Sequence, residues 1–124
     1  MSAETLQLIL DRKVSKGDVF EVARLAGIMA AKKTAELIPL CHSLGLDSVA
    51  LDFRAVDDRT LAIESSVSVQ ARTGVEMEAL TAVTVAALTI YDMCKSIDRG
   101  MSLGPFVLLE KSGGNSGHYV RGPA

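Results

Sequence analysis

The sequence has no tryptophan, three prolines, two cysteines and only 4% aromatic residues. With so few rings, its interior must be packed by Ala, Val, Leu, Ile and Met, the bulk of a 48% hydrophobic content. Cys41 and Cys94 both sit in apolar segments. That placement favours buried reduced thiols in a cytosolic protein over a disulfide framework. Cys41 is followed directly by His42 and lies far from Cys94, which is not the spacing of a zinc site. A basic surplus is also missing. The formal net charge of −2 argues against nonspecific nucleic-acid binding, which needs a cationic footprint. The opening residues, MSAETLQLIL, lack the basic start and long apolar run of a secretory leader. The apolar run over residues 79–91 is shorter than the ~20 residues of a membrane span. These absences predict a cytoplasmic protein with neither a membrane nor a nucleic-acid partner.

What is present fits one domain over residues 1–124, long enough for a real core. So much apolar surface on so small a domain also suggests subunit contacts. The organising stretch is residues 73–98, TGVEMEALTAVTVAALTIYDMCKSID. It predicts one long helix, apolar on every side and therefore buried on every side. Thr73 and Glu76 fit a capping box at its start. Gly100 closes its end, with Lys95 and Arg99 suited to the negative end of the dipole.

Before it, ETLQLILD predicts a short helix capped by Ser2 or Thr5. Asp18 is a candidate N-cap for a second helix, VFEVARLAGIMAAKKTAEL. There Val19, Val22, Ala26 and Met29 recur at helical spacing, with Leu25 beside them. Gly27 inside that helix hints at close packing. Pro39 disfavours helix at Ile38, so IPLCHSLG is an irregular exit. SVALDFRAV and LAIESSVSVQA alternate as strands, joined at a turn of Asp57, Asp58 and Arg59. GPFVLLEK predicts a third strand, and SGGNSGHYVRGPA a glycine-rich tail. The order suits an α+β layer with an antiparallel sheet covered by helices on one face.

The candidates for chemistry are Lys16, His42, Glu76, Glu78, Asp92, Lys95 and Lys111. Glu76 serves either as a cap or as a ligand. Asp92 and Lys95, three apart on a helix, form either a local ion pair or a proton-transfer pair tuned by burial. Lys16 precedes a helix start, where N–H groups attract anions. Lys111 precedes flexible glycines, but KSGG is not a phosphate-binding P-loop. Either lysine alone also suits a solvated surface. Glu78 and Asp92 lie on similar sides of the helix yet ~21 Å apart along it, at 1.5 Å per residue. They serve two ends of an extended ligand, or a site shared between subunits.

The segments KGDVFEVARLAGIMAAKKT, ELIPLCHSL, TGVEMEALTAVTVAALTIYDMCKSID and LLEKSGGNSG closely resemble the MoaC family, the cyclic pyranopterin monophosphate synthases of molybdenum cofactor biosynthesis. The resemblance covers residues 4–117. It implies a ferredoxin-like α+β subunit and a homo-hexamer, a trimer of dimers with active sites between subunits. It implies a lyase that converts 3',8-cyclo-7,8-dihydro-GTP into cyclic pyranopterin monophosphate and releases pyrophosphate. No cofactor is implied, although Mg2+ can accompany the triphosphate.

By the same resemblance, Lys16, Asp92 and Lys95 fall on the functional lysine, the catalytic acid and its neighbouring lysine. Leu40, Cys41, His42, Glu76, Met77, Glu78 and Lys111 fall on substrate-binding positions. Ser43 stands where the family's LCHPL has proline, and the family's N-terminal strand has no counterpart ahead of Ser2. Two rival readings are a noncatalytic nucleotide-binding oligomer and a metal-dependent phosphohydrolase. The first lacks a use for the Asp92 pair, and the second lacks a clustered Asp/His ligand set.

Overall fold

The computed structural model describes residues 1–70, 74–113 and 117–123. Their elements are α1 Ala3–Leu10, α2 Val19–Lys32, α3 Thr34–Leu37, β1 Ser48–Ala55, β2 Leu61–Ser68, α4 Glu76–Cys94, β3 Glu110–Lys111 and β4 Tyr119–Val120. The class is α+β with antiparallel pairing throughout.

Local chemistry starts the first two helices. The Ser2 hydroxyl accepts from the Thr5 N–H at 3.1 Å and caps α1. The Asp18 carboxylate accepts from the Glu21 N–H and caps α2. Leu6 and Ile9 drop from α1 into the interior, each 1% exposed. The run expected as one second helix breaks at Lys33 into α2 and the single turn of α3.

Helix α2 buries Val19 and a run of small residues and leaves several large ones outside. Ala23, Gly27, Ala30 and Ala31 are buried, whereas Val22, Leu25 and Met29 are exposed. Small residues let α2 approach both β1 and α4. A Cβ on Gly27 would stand 2.8 Å from Leu51 Cδ2 and 3.0 Å from the Ala82 carbonyl oxygen, so the close packing expected there is real.

Helix α4 corrects three expectations. It begins at Glu76 with Val75 as a cap that makes no side-chain bond, so Glu76 is the first helical residue and not the third of a capping box. Thr73 lies outside the described residues. The helix ends at Cys94, where the N–H groups of Ile97 and Asp98 both turn back to the Cys94 carbonyl, well before Gly100. Nor is it buried all round. Ala82, Ala86, Ile90, Met93 and Cys94 enter the core with Ile9, Val19, Ala23 and Leu51, while Met77, Thr84, Leu88 and Asp92 are exposed. By length and composition this 19-residue helix could cross a membrane, but it packs as a core helix against α2 and β2.

Strands β1 and β2 pair in register from Ser48↔Ser68 to Ala55↔Leu61. Leu51 is their most buried residue, and the Arg24 guanidinium lies over the Phe53 ring at 5.4 Å. Ser65, on the inner face, donates its hydroxyl to the Ala79 carbonyl at 2.7 Å and ties β2 to α4. The strand expected over residues 104–111 shrinks to Glu110–Lys111, which pairs with β4 in a separate two-stranded sheet. Among the described residues, 102–109 form no strand, although the Arg121 N–H donates to the Leu109 carbonyl at 2.8 Å beside the β3–β4 pair. A groove of about 1610 Å³ separates them from β2, floored by α4.

Candidate active site

The two ends of α4 carry different chemistry. At the C-terminal end, Gly17 takes φ 129°, and its N–H closes a turn onto the Val14 carbonyl at 3.2 Å. Only glycine adopts that backbone freely, and the turn projects Lys16 at the last turns of α4. The Lys16 ammonium donates to the Asp92 main-chain oxygen at 3.1 Å and stands 3.7 Å from Asp92 Oδ2. Lys95 reaches Asp92 Oδ1 at 3.0 Å. The Asp92 carboxylate is thus held between two ammonium groups supplied by two elements.

The sequence suggested a buried Asp92, but its side chain is 59% exposed. Exposed ion pairs contribute little to stability, so burial is not what sets this group's ionisation. The hydrogen bond from Lys95, followed by the charge of Lys16, holds the Asp92 carboxyl below the usual carboxylate range. The result is an accessible, firmly ionised base flanked by two cations, able to accept a proton while the lysines face an anion.

At the N-terminal end, three consecutive residues diverge, as their helical positions require. Glu78 turns inward and is 4% exposed, with Cys41 Sγ 3.8 Å from its Oε2. Burial, then the Glu78 charge, push the Cys41 thiol up. Glu76 turns toward β3, where its Oε1 meets the Lys111 ammonium at 3.5 Å. Met77 points between them and is 37% exposed. Leu40 is 94% exposed, and His42 is also exposed. Among the described residues, no hydrogen bond ties His42 to either acid.

The structure therefore gathers Lys16, Asp92 and Lys95 at one end, and Cys41, Glu78, Glu76 and Lys111 at the other. It does not join the two groups within one chain. Helix α4 is unbroken from Glu76 to Cys94, so Glu78 and Asp92 stay ~21 Å apart along its axis. Among the described residues, no three His, Cys, Asp or Glu side chains gather as metal ligands. Sequence reasoning gave Gly17 no role, although its place between Lys16 and the Asp18 cap was the signal available.

Fold and site together define an α+β domain with an exposed lysine–carboxylate–lysine centre at one end of α4 and a second group, Cys41 with Glu78 and Lys111 with Glu76, at the other. Comparison with known proteins narrows this class. The MoaC family pattern matches residues 1–114. A cyclic pyranopterin monophosphate synthase of Pelotomaculum thermopropionicum is 61% identical over 98% of the chain and 72% of its own length. Relatives of the same name from Magnetococcus marinus and Desulfitobacterium hafniense are 61% and 55% identical, over 98% of the chain and 75% and 74% of their own lengths. This chain belongs to the MoaC family.

Proposed function

We propose that this protein is a cyclic pyranopterin monophosphate synthase, a lyase that converts 3',8-cyclo-7,8-dihydro-GTP into cyclic pyranopterin monophosphate and pyrophosphate in molybdenum cofactor biosynthesis. The observation that carries this reading is the Lys16–Asp92–Lys95 cluster in a chain whose relatives bear that name. Closing a cyclic phosphate requires a hydroxyl to lose its proton as it attacks phosphorus. It also requires the departing pyrophosphate to be stabilised as its negative charge grows. Asp92, kept ionised by its two neighbours, accepts the proton. Lys95 returns a proton to the ring system, and Lys16 faces the phosphates. Leu40, Cys41, His42, Glu76, Met77 and Glu78 hold the guanine-derived end, and Lys111 holds phosphate. Any Mg2+ arrives with the triphosphate.

The two ends of α4 meet through a second subunit in this reading. Large apolar residues outside the core support it: Val22, Leu25 and Met29 on α2, and Met77 and Leu88 on α4. A two-fold copy laid antiparallel along this face sets Asp92 of one chain beside Glu78 of the other, and three such dimers make the hexamer. For the subunit itself, a ferredoxin-like layout places residues 104–111 in one sheet with β1 and β2 beneath the same helices.

The test is direct. Purified protein given the cyclised nucleotide should release pyrophosphate, and the Asp92→Ala protein, folded by circular dichroism, should not. Binding without release favours the noncatalytic alternative.

A further inference from the structure

Among the described residues, one that is not glycine takes a left-handed backbone: Arg12, at φ 56°. It follows the Asp11 cap of α1. Its N–H turns back to the Ile9 carbonyl at 3.1 Å, and the Lys13 N–H turns back to the Leu8 carbonyl at 2.9 Å. Glycine is the usual residue at this point of a helix end, because a Cβ is strained there. Strain of this kind persists where the surrounding structure holds it, and it gathers near functional groups. The holding contact is tertiary. Arg12 Nε lies 3.2 Å from Asp18 Oδ2, while Asp18 Oδ1 accepts the Glu21 N–H at 3.3 Å. One carboxylate therefore caps α2 and grips the end of α1.

The residues between these two ends carry Lys16. Val14 packs against the core, and the Gly17 N–H closes onto the Val14 carbonyl at 3.2 Å. Tied only there, the loop can pivot about Val14. The Arg12–Asp18 pair spans its mouth and removes that pivot. From the closed loop, the Lys16 ammonium reaches Asp92 at two atoms, the main-chain oxygen at 3.1 Å and Oδ2 at 3.7 Å. The Arg12 side chain is 72% exposed, so the pair adds little to global stability. Its effect falls on the root of Lys16, a flexible side chain that loses less rotamer freedom on binding when its backbone is already placed.

We propose that Arg12 is a positioning residue for Lys16: its ion pair with Asp18 holds the loop of residues 12–18 closed and sets the Lys16 ammonium against Asp92 before substrate arrives. The inference deepens the synthase reading, on which its rate arm rests, and a second arm needs no catalysis.

The test uses Arg12→Gly, Asp18→Asn and the double variant. Glycine keeps the left-handed backbone without strain and removes the guanidinium. Asparagine caps helices as well as aspartate does, but its single acceptor oxygen is taken by the Glu21 N–H. Three quantities are read: the carbon-13 titration of the Asp92 carboxyl, kcat and KM for pyrophosphate release from the cyclised nucleotide, and the melting temperature. Lys16 is one of the two cations that lower the Asp92 pKa. Each single variant should therefore raise that pKa toward its ordinary value. Each should lower kcat ~2–5-fold, the range open to one exposed ion pair. The double variant should be no worse than either single one, and Arg12→Gly should melt no lower than the unaltered chain. An Asp92 titration and a kcat unchanged in both single variants overturn the inference. A lower melting temperature in Arg12→Gly with an unchanged titration also overturns it, since the pair is then structural. So does a raised KM in Arg12→Gly with none in Asp18→Asn, since the guanidinium then meets the substrate directly. If the titration shifts as expected while the unaltered chain releases no pyrophosphate, the placement of Lys16 stands and the synthase reading falls.

Discussion

Lys16 and Asp92, 76 positions apart, meet twice: the ammonium donates to the Asp92 main-chain oxygen at 3.1 Å and stands 3.7 Å from its carboxylate. The first contact satisfies one of the carbonyls that a helix leaves free in its last turns. It thereby fixes the lysine without consuming the carboxylate. The second sets the charge environment. Such a lysine can leave the carboxylate for a phosphate and remain anchored, whereas Lys95 is bound to the carboxylate alone.

The pH dependence follows from that asymmetry. Lys95 makes the largest contribution to lowering the Asp92 pKa, with Lys16 next. The base is ionised above its depressed value and lost as pH falls through it, below the ordinary value of about 3.9. In Lys95→Met, the Asp92 pKa rises toward that ordinary value, and the acid limb of the rate profile should move to higher pH. A carbon-13 titration of the Asp92 carboxyl, in parallel with the rate, checks that the limb belongs to this group.

Truncating the carboxylate tests its role in chemistry. Asp92→Ala should lower turnover by ~10²–10⁴-fold. The melting temperature should barely move, because the group is exposed and its ion pairs add little. A large loss of stability alongside a near-normal rate would mark the pair as structural.

Gly27 is where packing leaves least room. Alanine is the better helix former by ~1 kcal/mol, yet its Cβ would meet Leu51 Cδ2 at 2.8 Å and a main-chain oxygen of α4 at 3.0 Å. Leu51 can rotate, but Ala82 can move only with its helix. Gly27→Val should therefore destabilise by ~1–3 kcal/mol in urea unfolding. Leu51→Ala in the same chain should relieve only part of that, since the contact with the Ala82 oxygen persists.

Much of this was legible in the sequence because short-range chemistry wrote it. Ser2 and Asp18 cap helices as their residue types predict, and the alternation over residues 48–56 and 61–71 became a register over Ser48–Ala55 and Leu61–Ser68. The limits of α4 were not legible. Thr73 and Glu76 have capping-box spacing, but helical geometry begins only at Glu76. The strand over residues 104–111 failed for a different reason: a strand needs a partner, and alternation does not name one. Asp92 was read as buried because its neighbours are apolar, yet a helix lying on a sheet exposes one stripe, and Leu88 and Asp92 share it. The meeting of Lys16 with Asp92 is tertiary: each was a candidate by itself, but no spacing in the sequence joins them.

The Cys41–Glu78 contact has a chemical signature. Burial and the Glu78 charge both raise the Cys41 thiol pKa, so alkylation by iodoacetamide should be slow at neutral pH and rise on the alkaline side. Glu78→Gln removes the charge and leaves the burial, so the alkylation profile should shift to lower pH without reaching that of a free thiol. Cys94, fully buried and raised chiefly by desolvation, should stay unmodified while the protein is folded. An unchanged Cys41 profile in Glu78→Gln would mean that the 3.8 Å approach is not kept in solution.

Subunit mixing decides whether the ends of α4 work together across an interface. Asp92→Ala and Glu78→Ala chains should each be inactive alone. If one chain supplies Asp92 and its partner supplies Glu78, a mixed dimer has one doubly altered site and one intact site. Random exchange of equal amounts should then restore about a quarter of wild-type activity. If each site belongs to one chain, nothing is restored, because every site carries one lesion whatever its neighbour. Leu88→Glu adds a second arm by placing a charge on the outer face of α4, one turn before Asp92. It should lower the oligomeric state in sedimentation and abolish the restored activity, leaving the α2–α4 core intact. Restoration that survives Leu88→Glu would place the shared site on a different face.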